Sequence, residues 1–525
     1  MPIDVNLLRA YKGFDPEVVR KSENKRRAPP ANVDEAIRLD AEWVAANKTV
    51  ELINKERNRI DDEVKASANK KPTDEQRAKS KELAGKKKGL DEQLDLLAEQ
   101  RDAAILKIGN VLHESVPDAA REEDLEVCVT SYGDFKVVPD VISHHQALWM
   151  IGGYEPERGA AIAGHRGYYL TGPGVLLNQA LISYAIGFLT ARKHTPVMPP
   201  YFMTKHAMAK VSQLSDFDES LYHVGAVHRG GDEKDDDDKY LIATSEQPLC
   251  CLNMDTNVKP TELPIKYCGF STCFRKEAGK FGVDTLGIFR VHQFDKVEQF
   301  VIVAPDETVS YAMLEEMRAN SEDFLKSLEL PFKTINVVSG ELNLAAAKKY
   351  DINAWFPSLQ KHKELVSASN CTDFQSRATN TYVTVTQPDG TTKRCFAHML
   401  NATLCALTRT ICCILENHQG VKTVDGKEAR GVHVPKVLLP YMAGVDFLPF
   451  VREPRADAQP SKETKANARK QSVPAKKEPA RRASFKVAGN EFPTAVAALA
   501  SKEFRSVEEY VAFVNQPPVR KDEPA

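Results

Sequence analysis

Between residues 34 and 112 the chain repeats apolar residues every seven positions and holds almost no glycine or proline, a pattern that leaves little choice of structure. Ala36, Trp43, Val50, Arg57 and Val64 are seven apart, and Leu39, Ala46, Ile53 and Ile60 fall three after the first four. A second run places Leu83, Leu90, Leu97, Ala104 and Val111 seven apart, with Leu94 and Ile108 in the complementary seam. Such spacing puts an apolar stripe on each of two helices and packs the stripes together as a coiled coil. Between the runs lies Lys70-Lys71-Pro72-Thr73-Asp74, where proline cannot continue a helix and the chain must turn. The expectation is an antiparallel helical hairpin reaching ~45 Å or more. From Lys65 to Lys88 nine Lys/Arg stand against three acids. A solvated helical surface reads that way, and so does an arm that binds phosphates.

The rest of the chain divides by composition. At 525 residues it is long enough for two to four domains. Residues 1–120 carry the hairpin. Residues 121–451 read as one α+β domain, in which short Val/Ile/Phe-rich runs (Ile288–Val291, Glu298–Val303, Thr334–Val338, Thr381–Thr386) alternate with helix candidates at Val175–Leu189, Tyr311–Leu328 and Ala402–Leu415. The lack of regular helical crossovers favours an antiparallel sheet. An acidic stretch at 230–239 reads as a solvated loop, since consecutive carboxylates repel and lack ligand geometry. Residues 452–482 hold ten Lys/Arg against four acids, together with several Pro, Ala and Ser, as a basic disordered extension would. Near its end, Ser506-Val507-Glu508-Glu509 is a capping box for a short helix over about 506–515 that could meet a protein or RNA partner.

Net charge is −2, so any grip on nucleic acid must come from local basic patches. The ten cysteines are scattered, and the adjacent pairs Cys250–Cys251 and Cys412–Cys413 are poorly spaced for chelation. Reduced, buried thiols and no structural zinc are expected. No apolar run approaches the ~20 residues that span a bilayer. Asp4, Asp15, Glu17 and Glu23 make the N-terminus unlike an organelle presequence, so the cytosol and no membrane are expected.

The chemistry is concentrated between Thr244 and Arg409. Phe274-Arg275-Lys276-Glu277 leads through a glycine-containing segment (Gly279, Gly282) to Gly287-Ile288-Phe289-Arg290-Val291-His292-Gln293-Phe294, read as a strand, loop, strand hairpin. Alone it could be an ordinary hairpin with surface charges. It stands in order with three other blocks: a helix from Val175 leading to Thr195-Pro196-Val197-Met198-Pro199-Pro200; Thr244-Ser245-Glu246-Gln247-Pro248; and Glu364-Leu365-Val366-Ser367 with Ser369-Asn370-Cys371-Thr372-Asp373. A last block runs from Leu400-Asn401-Ala402-Thr403 through Thr408-Arg409 to Leu415-Glu416-Asn417. Together these resemble the signature motifs of class II aminoacyl-tRNA synthetases, specifically the seryl enzymes of the eukaryotic cytosolic type. The likeness covers roughly residues 1–450.

The resemblance implies a class II catalytic domain, an antiparallel sheet flanked by helices, behind an N-terminal coiled-coil arm. It implies that L-serine is activated with ATP and Mg²⁺ and then transferred to the tRNA for serine, and to the tRNA for selenocysteine where the host has one. It implies a homodimer joined through the Val175–Pro200 block. Both reactants of the first step are anions, so the site must neutralise charge and align the attack. Arg275 suits bridging a carboxylate and the α-phosphate, its planar fork binding both. By resemblance Arg275, Glu298 and Arg409 are catalytic. Lys276, Glu277, Arg290, Val291, His292, Gln293, Phe294, Glu364, Leu365, Val366 and Ser367 join Arg275 and Arg409 around ATP. In that arrangement Glu277 accepts from the adenine amino group, Phe294 and Arg409 flank the ring, and Glu364 and Ser367 ligate Mg²⁺. Thr244, Glu246, Arg275, Glu298, Asn401 and Thr403 surround serine, Glu298 taking its ammonium. Plainer readings stay open for some of these: Asn401 as a helix cap, Glu298 as a solvent-facing strand residue, His292 as an orienting group. Gly164-His165-Arg166-Gly167 lacks the phosphate-loop pattern and reads as a turn.

Two other functions share these motifs. An amino acid:carrier-protein ligase of the same fold would lack the long arm. A catalytically inactive RNA-binding homologue would have lost Arg275, Glu298, Glu364 or Arg409, and all four are present.

Overall fold

The structure is a computed structural model. It describes residues 3–455 except 68, 214–216, 218, 226–237, 278–285 and 388, together with the strand residues 486–487 and 490–491. Most of the acidic stretch, the glycines at 279 and 282, and the C-terminal helix expected near 506–515 lie outside the described residues. The chain forms two compact units, residues 1–458 and 459–525. In the second, Lys486–Val487 pairs antiparallel with Asn490–Glu491.

Two long helices form the expected hairpin, α1 at Ala31–Ala66 and α2 at Asp74–Ile105. Thr73 starts α2 with a full capping box: its side chain accepts from the Gln76 backbone N–H, and the Gln76 side chain accepts from the backbone N–H of Thr73. The heptad positions Ile53, Ile60 and Leu83 are buried between the helices, with Leu90 packed against them. Nearer the base, Ala36, Leu39, Leu97 and Ala104 join Ile3, Leu8 and Val19. The second heptad run overshoots its helix: α2 stops at Ile105, and Ile108 and Val111 pack from the segment beyond. Asp40 is buried there and holds Arg9 at 2.7 Å and Arg101 at 3.6 Å, while Arg101 lies 4.8 Å over the Trp43 ring. A buried carboxylate needs such partners, since removing them would leave an uncompensated charge.

The larger body is an eight-stranded sheet. In chain order its strands are β1 Val127–Tyr132, β2 Thr195–Val197, β3 Ile265–Phe274, β4 Gln293–Val303, β5 Phe332–Asn336, β6 Lys348–Phe356, β7 Lys361–Asn370 and β8 His398–Ala406. They lie in the order β1-β5-β6-β7-β8-β4-β3-β2. Every pairing is antiparallel except that of the edge strand β2 with β3. Helices α3 Gly172–Thr190, α4 Glu307–Ser327 and α5 Leu407–Asn417 pack on the sheet.

Three expectations need correction. Ala402–Leu415 is not one helix: Ala402–Ala406 finishes β8, and α5 starts at Leu407. An apolar run cannot distinguish a buried strand from a buried helix, and pairing with β4 and β7 on both sides decides for strand. The second limb of the hairpin starts at Gln293, with Gly287–His292 in irregular conformation before it. An apolar segment of near-spanning length does exist: α3 has 19 residues and a mean hydropathy sufficient to cross a membrane. In the fold its Leu177, Ala180, Leu181, Ala185 and Leu189 are fully buried in the main core, which accounts for the composition. Gly164–Gly167 is a turn, with Gly164 and Arg166 at positive φ. All ten cysteines are free and seven of them are buried.

The first residues assigned to the basic extension are docked on the body. Arg452 lies 4.4 Å over the Trp149 ring and 2.8 Å from Glu155, and the Trp149 indole donates to the carbonyl of Glu453. The remainder of that stretch, from 456 on, lies outside the described residues.

Candidate active site

Strand geometry builds most of the site. Alternate residues of a strand share a face. β4 therefore projects Phe294, Lys296 and Glu298 into one cavity, and β8 projects Asn401 and Thr403 beside them. The β4–β8 register slips between Val297 and Glu298, so that Glu298 stands opposite Thr403. A second irregularity lies between β6 and β7: Val366 pairs with Ile352 and Glu364 with Asn353, leaving Leu365 as the extra residue. Glu364 and Ser367 are three apart, a spacing that points side chains to opposite faces of a regular strand. The bulge brings both to the cavity. Arg275 follows directly on β3, and Arg409 stands in the first turn of α5.

The cavity has a volume of about 330 Å³. Three guanidinium residues, Arg275, Arg290 and Arg409, line it together with the carboxylates Glu246, Glu298 and Glu364. Arg275 is held by its backbone: its N–H donates to the carbonyl of His292 at 2.9 Å, and its own carbonyl lies 3.0 Å from His292 Nδ1. Its guanidinium lies 5.3 Å over the Phe294 ring. Arg409 donates to the Glu364 carbonyl at 2.9 Å and lies 5.0 Å over Phe289. Arg290 pairs with Glu277 at 2.6 Å, and Glu277 itself sits at φ 50°, in the left-handed region that side-chain-bearing residues seldom adopt.

The cavity also holds two carboxyls in different states, Glu298 buried and Glu246 half-buried. Glu298 Oε2 accepts from Thr244 Oγ1 at 2.6 Å and Ser245 Oγ at 3.0 Å, with Lys296 Nζ at 2.9 Å. Burial pushes this carboxyl up, but Lys296 and the two hydroxyls outweigh it and hold Glu298 below the ordinary range. Glu246 Oε1 accepts from Gln375 Nε2 at 2.6 Å and Asn401 Nδ2 at 2.9 Å. Burial, then the charge of Glu298, raise it to about 7. Two carboxyls driven apart in this way can do different work in one pocket.

Glu364 and Ser367 offer oxygen ligands on the same wall. Behind them Asp351 is buried, raised to about 6 by burial, and its Oδ1 has no hydrogen-bond partner. Its other oxygen lies 3.2 Å from Lys349 Nζ. A sparse oxygen set suits Mg²⁺, which keeps waters and phosphate oxygens as its remaining ligands. Among the described residues no three His, Cys, Asp or Glu side chains gather as a metal cluster.

Most residues singled out by sequence meet in this cavity, and four do not. Val366 is buried in the main core, on the far face of its strand. His292 and Gln293 line a separate cavity of about 430 Å³. Lys276 N–H donates to the carbonyl of Ser220, and its ammonium lies 3.5 Å from the Phe217 carbonyl. Asn401 caps no helix, being a strand residue, and Glu298 faces no solvent. Sequence reasoning missed Lys296, Lys349 and Asn343, and it quoted Phe289, Ser369 and Thr408 within the motif blocks without giving them a role; all six are on the cavity wall. Lys296 carried a usable signal, standing midway between Phe294 and Glu298 on an alternating strand. Ser369 stands two after Ser367 on one strand and Thr408 beside Arg409 on one helix, whereas Lys349 and Asn343 arrive from separate elements.

Comparison with known proteins agrees with this geometry. Residues 224–418 match the tRNA synthetase class II core domain (G, H, P, S and T), and residues 3–112 match the seryl-tRNA synthetase N-terminal domain. The cytoplasmic serine–tRNA ligase of Arabidopsis thaliana is 44% identical, over 88% of this chain and 100% of the relative. The crystal structure of the cytoplasmic enzyme from Naegleria fowleri, in complex with AMP, is 41% identical with a TM-score of 0.74, covering 86% of this chain and 99% of that one. That of seryl-tRNA synthetase from Pyrococcus horikoshii, complexed with ATP, is 35% identical with a TM-score of 0.75, covering 86% and 100%. Carrying both matched regions in order, and nearly the whole length of such relatives, the chain belongs to the seryl-tRNA synthetase family.

Proposed function

We propose that this chain is a cytoplasmic serine–tRNA ligase, which condenses L-serine with ATP to seryl-adenylate and pyrophosphate and then transfers serine to tRNA. The observation that carries the reading is one cavity with Arg275, Arg290 and Arg409 on its wall and, among its lining, a half-buried Glu246 and a buried Glu298.

The carboxylate of serine must attack the α-phosphorus of ATP, so two anions have to approach in line. Arg275 lies over the Phe294 ring in the cavity that the carboxyl pair also lines, and its fork can hold the serine carboxylate and an α-phosphate oxygen together. Arg290 and Arg409 take the outer phosphates, and Phe294 and Phe289 supply aromatic faces for the base. Glu364 and Ser367 would hold Mg²⁺, which supplies charge neutralisation on the phosphates. Glu298, with Oε2 committed to three donors, presents Oε1 to the serine ammonium. Glu246, Asn401 and Thr403 address the hydroxyl. A pocket built for a hydroxyl rejects alanine because its polar groups would be left unpaired.

The arm is the tRNA-binding element in this reading. Lys70, Lys71, Lys81 and Lys88 are exposed along its distal part, and a basic hairpin can follow the backbone and shape of an RNA helix without reading its bases. The chain acts as a homodimer joined along the edge formed by α3 and β2, where Met198 and Phe202 stand exposed beside a free sheet edge. The basic extension after 455 is read as a further contact to RNA or protein.

Serine-dependent ATP–pyrophosphate exchange, followed by charging of tRNA, tests the proposal. Exchange without charging would point to a carrier-protein ligase, and no exchange at all to an inactive homologue.

A further inference from the structure

The serine end of the cavity is held from outside by the N-terminal domain. The segment Cys371–Thr379 carries Gln375, whose Nε2 donates to Glu246 at 2.6 Å. Its first residues also touch the pocket, since Asn401 Nδ2 reaches Cys371 Sγ at 3.6 Å as well as Glu246. Two residues far away in sequence grip this segment. Asn110, 6% exposed just beyond the second arm helix, donates through Nδ2 to the Cys371 carbonyl at 2.8 Å, Thr372 Oγ1 at 2.9 Å and the Ala345 carbonyl at 2.9 Å. Asp4 lies 3.2 Å from Arg377 Nη2, and Phe374 packs against the apolar cluster at the base of the arm.

Asn110 is itself fixed. Its carbonyl accepts from Arg26 Nη2 at 2.8 Å, and its N–H donates to the Leu344 carbonyl at 2.7 Å. The same guanidinium donates to the carbonyls of Asn343 at 2.9 Å and Ala346 at 2.6 Å. Asn343 lines the cavity. One buried arginine and one buried amide therefore register two loops of the cavity wall against each other and against the root of the arm. Five donors in a fixed planar fork suit Arg26 to this, and the two N–H groups of an amide suit Asn110.

We propose that Asn110, seated by Arg26, is a positioning residue for the amino-acid pocket: it sets the 371–379 segment so that Gln375 and Asn401 hold Glu246 in place for serine. Asn110 touches neither reactant and acts through Gln375 and Asn401. The proposal rests on the serine-activating reading given above.

The test is steady-state ATP–pyrophosphate exchange by the full-length chain, varying serine and ATP separately. Asn110→Ala should raise the KM for serine about tenfold, the scale of losing hydrogen bonds to a buried segment, and leave the KM for ATP within about twofold. Gln375→Ala should give the same split, and the double variant should be no worse than the more severe single one, because losing Asn110 already disturbs the Gln375 contact. Ser22→Ala removes a weaker 3.4 Å bond to the same Asn110 carbonyl and the acceptor of the Leu112 N–H at 3.0 Å without touching 371–372, and should leave both constants unchanged. Equal changes in both KM values, no change in either, or additive effects in the double variant would overturn the proposal. Should Asn110→Ala not fold, Asn110→Ser, which keeps one donor, carries the same test with a smaller split. If the unaltered chain shows no serine-dependent exchange, it is the activation reading itself that fails.

Discussion

Replacing Glu246 with glutamine keeps the side chain's shape and its acceptor oxygen but removes its ability to ionise. In the folded protein burial and the nearby charge of Glu298 move this carboxyl from 4.5 to about 7. At ~1.4 kcal/mol per pH unit, ionising it in the native state costs about 3 kcal/mol more than in the unfolded chain. The sign follows from proton binding. Below pH 4.5 both states hold the proton, and the cost is absent. Between 4.5 and 7 the native state keeps a proton that the unfolded chain releases, so stability falls as pH rises; above 7 the loss is complete. Glutamine never carries the charge. Glu246→Gln should therefore stabilise the protein by about 1 kcal/mol at pH 5 and about 3 kcal/mol at pH 8. Gln375 and Asn401 can still donate to its amide oxygen. Thermal midpoints of the variant and the unaltered protein, measured side by side across pH 5 to 8, give the comparison. Serine-dependent exchange should fall at the same time, because the amide NH₂ presents a donor where the carboxyl offered the serine hydroxyl an acceptor. A gain that does not grow with pH, or a loss at pH 8, would refute the reasoning.

Arg275→Ala should lower exchange by about 10²–10³-fold, the scale of removing one preorganised donor to developing charge, with the protein still folded by circular dichroism. Lys296→Met takes the lysine ammonium away from Glu298 and leaves a buried carboxylate without its ion pair; about 3 kcal/mol of stability should be lost near neutral pH and less in acid, where Glu298 takes up a proton, as urea titrations at the two pH values would show. Replacing Lys70, Lys71 and Lys88 with alanine should weaken tRNA binding and flatten its dependence on salt by roughly 0.7–0.9 in the logarithmic slope for each phosphate no longer neutralised, while exchange without tRNA stays unchanged. Filter binding at several salt concentrations would measure this, and an equal effect on exchange would remove the arm from tRNA recognition.

Residue order alone determined whatever depends on local period and local chemistry. Heptad spacing gave the two arm helices, and Pro72 gave the turn between them, because a helix forms from neighbours three and four residues apart. Alternation along β4 likewise aims Phe294 and Glu298 at one face, and the motif blocks named most of the residues that meet in the cavity. Tertiary structure decided the rest. It made Ala402–Ala406 a strand, since pairing on two sides outweighs an ambiguous apolar run. It turned Glu364 and Ser367 to the same side through a bulge at Leu365 that no spacing rule announces. It brought Lys296 against Glu298, and Asn110 against a segment more than two hundred and fifty residues further on. Burial and charge at Glu246 and Glu298 are sums over atoms from several elements. Such sums take values only once the chain has closed around them, and so the two carboxyls differ in the fold although one residue type occupies both positions.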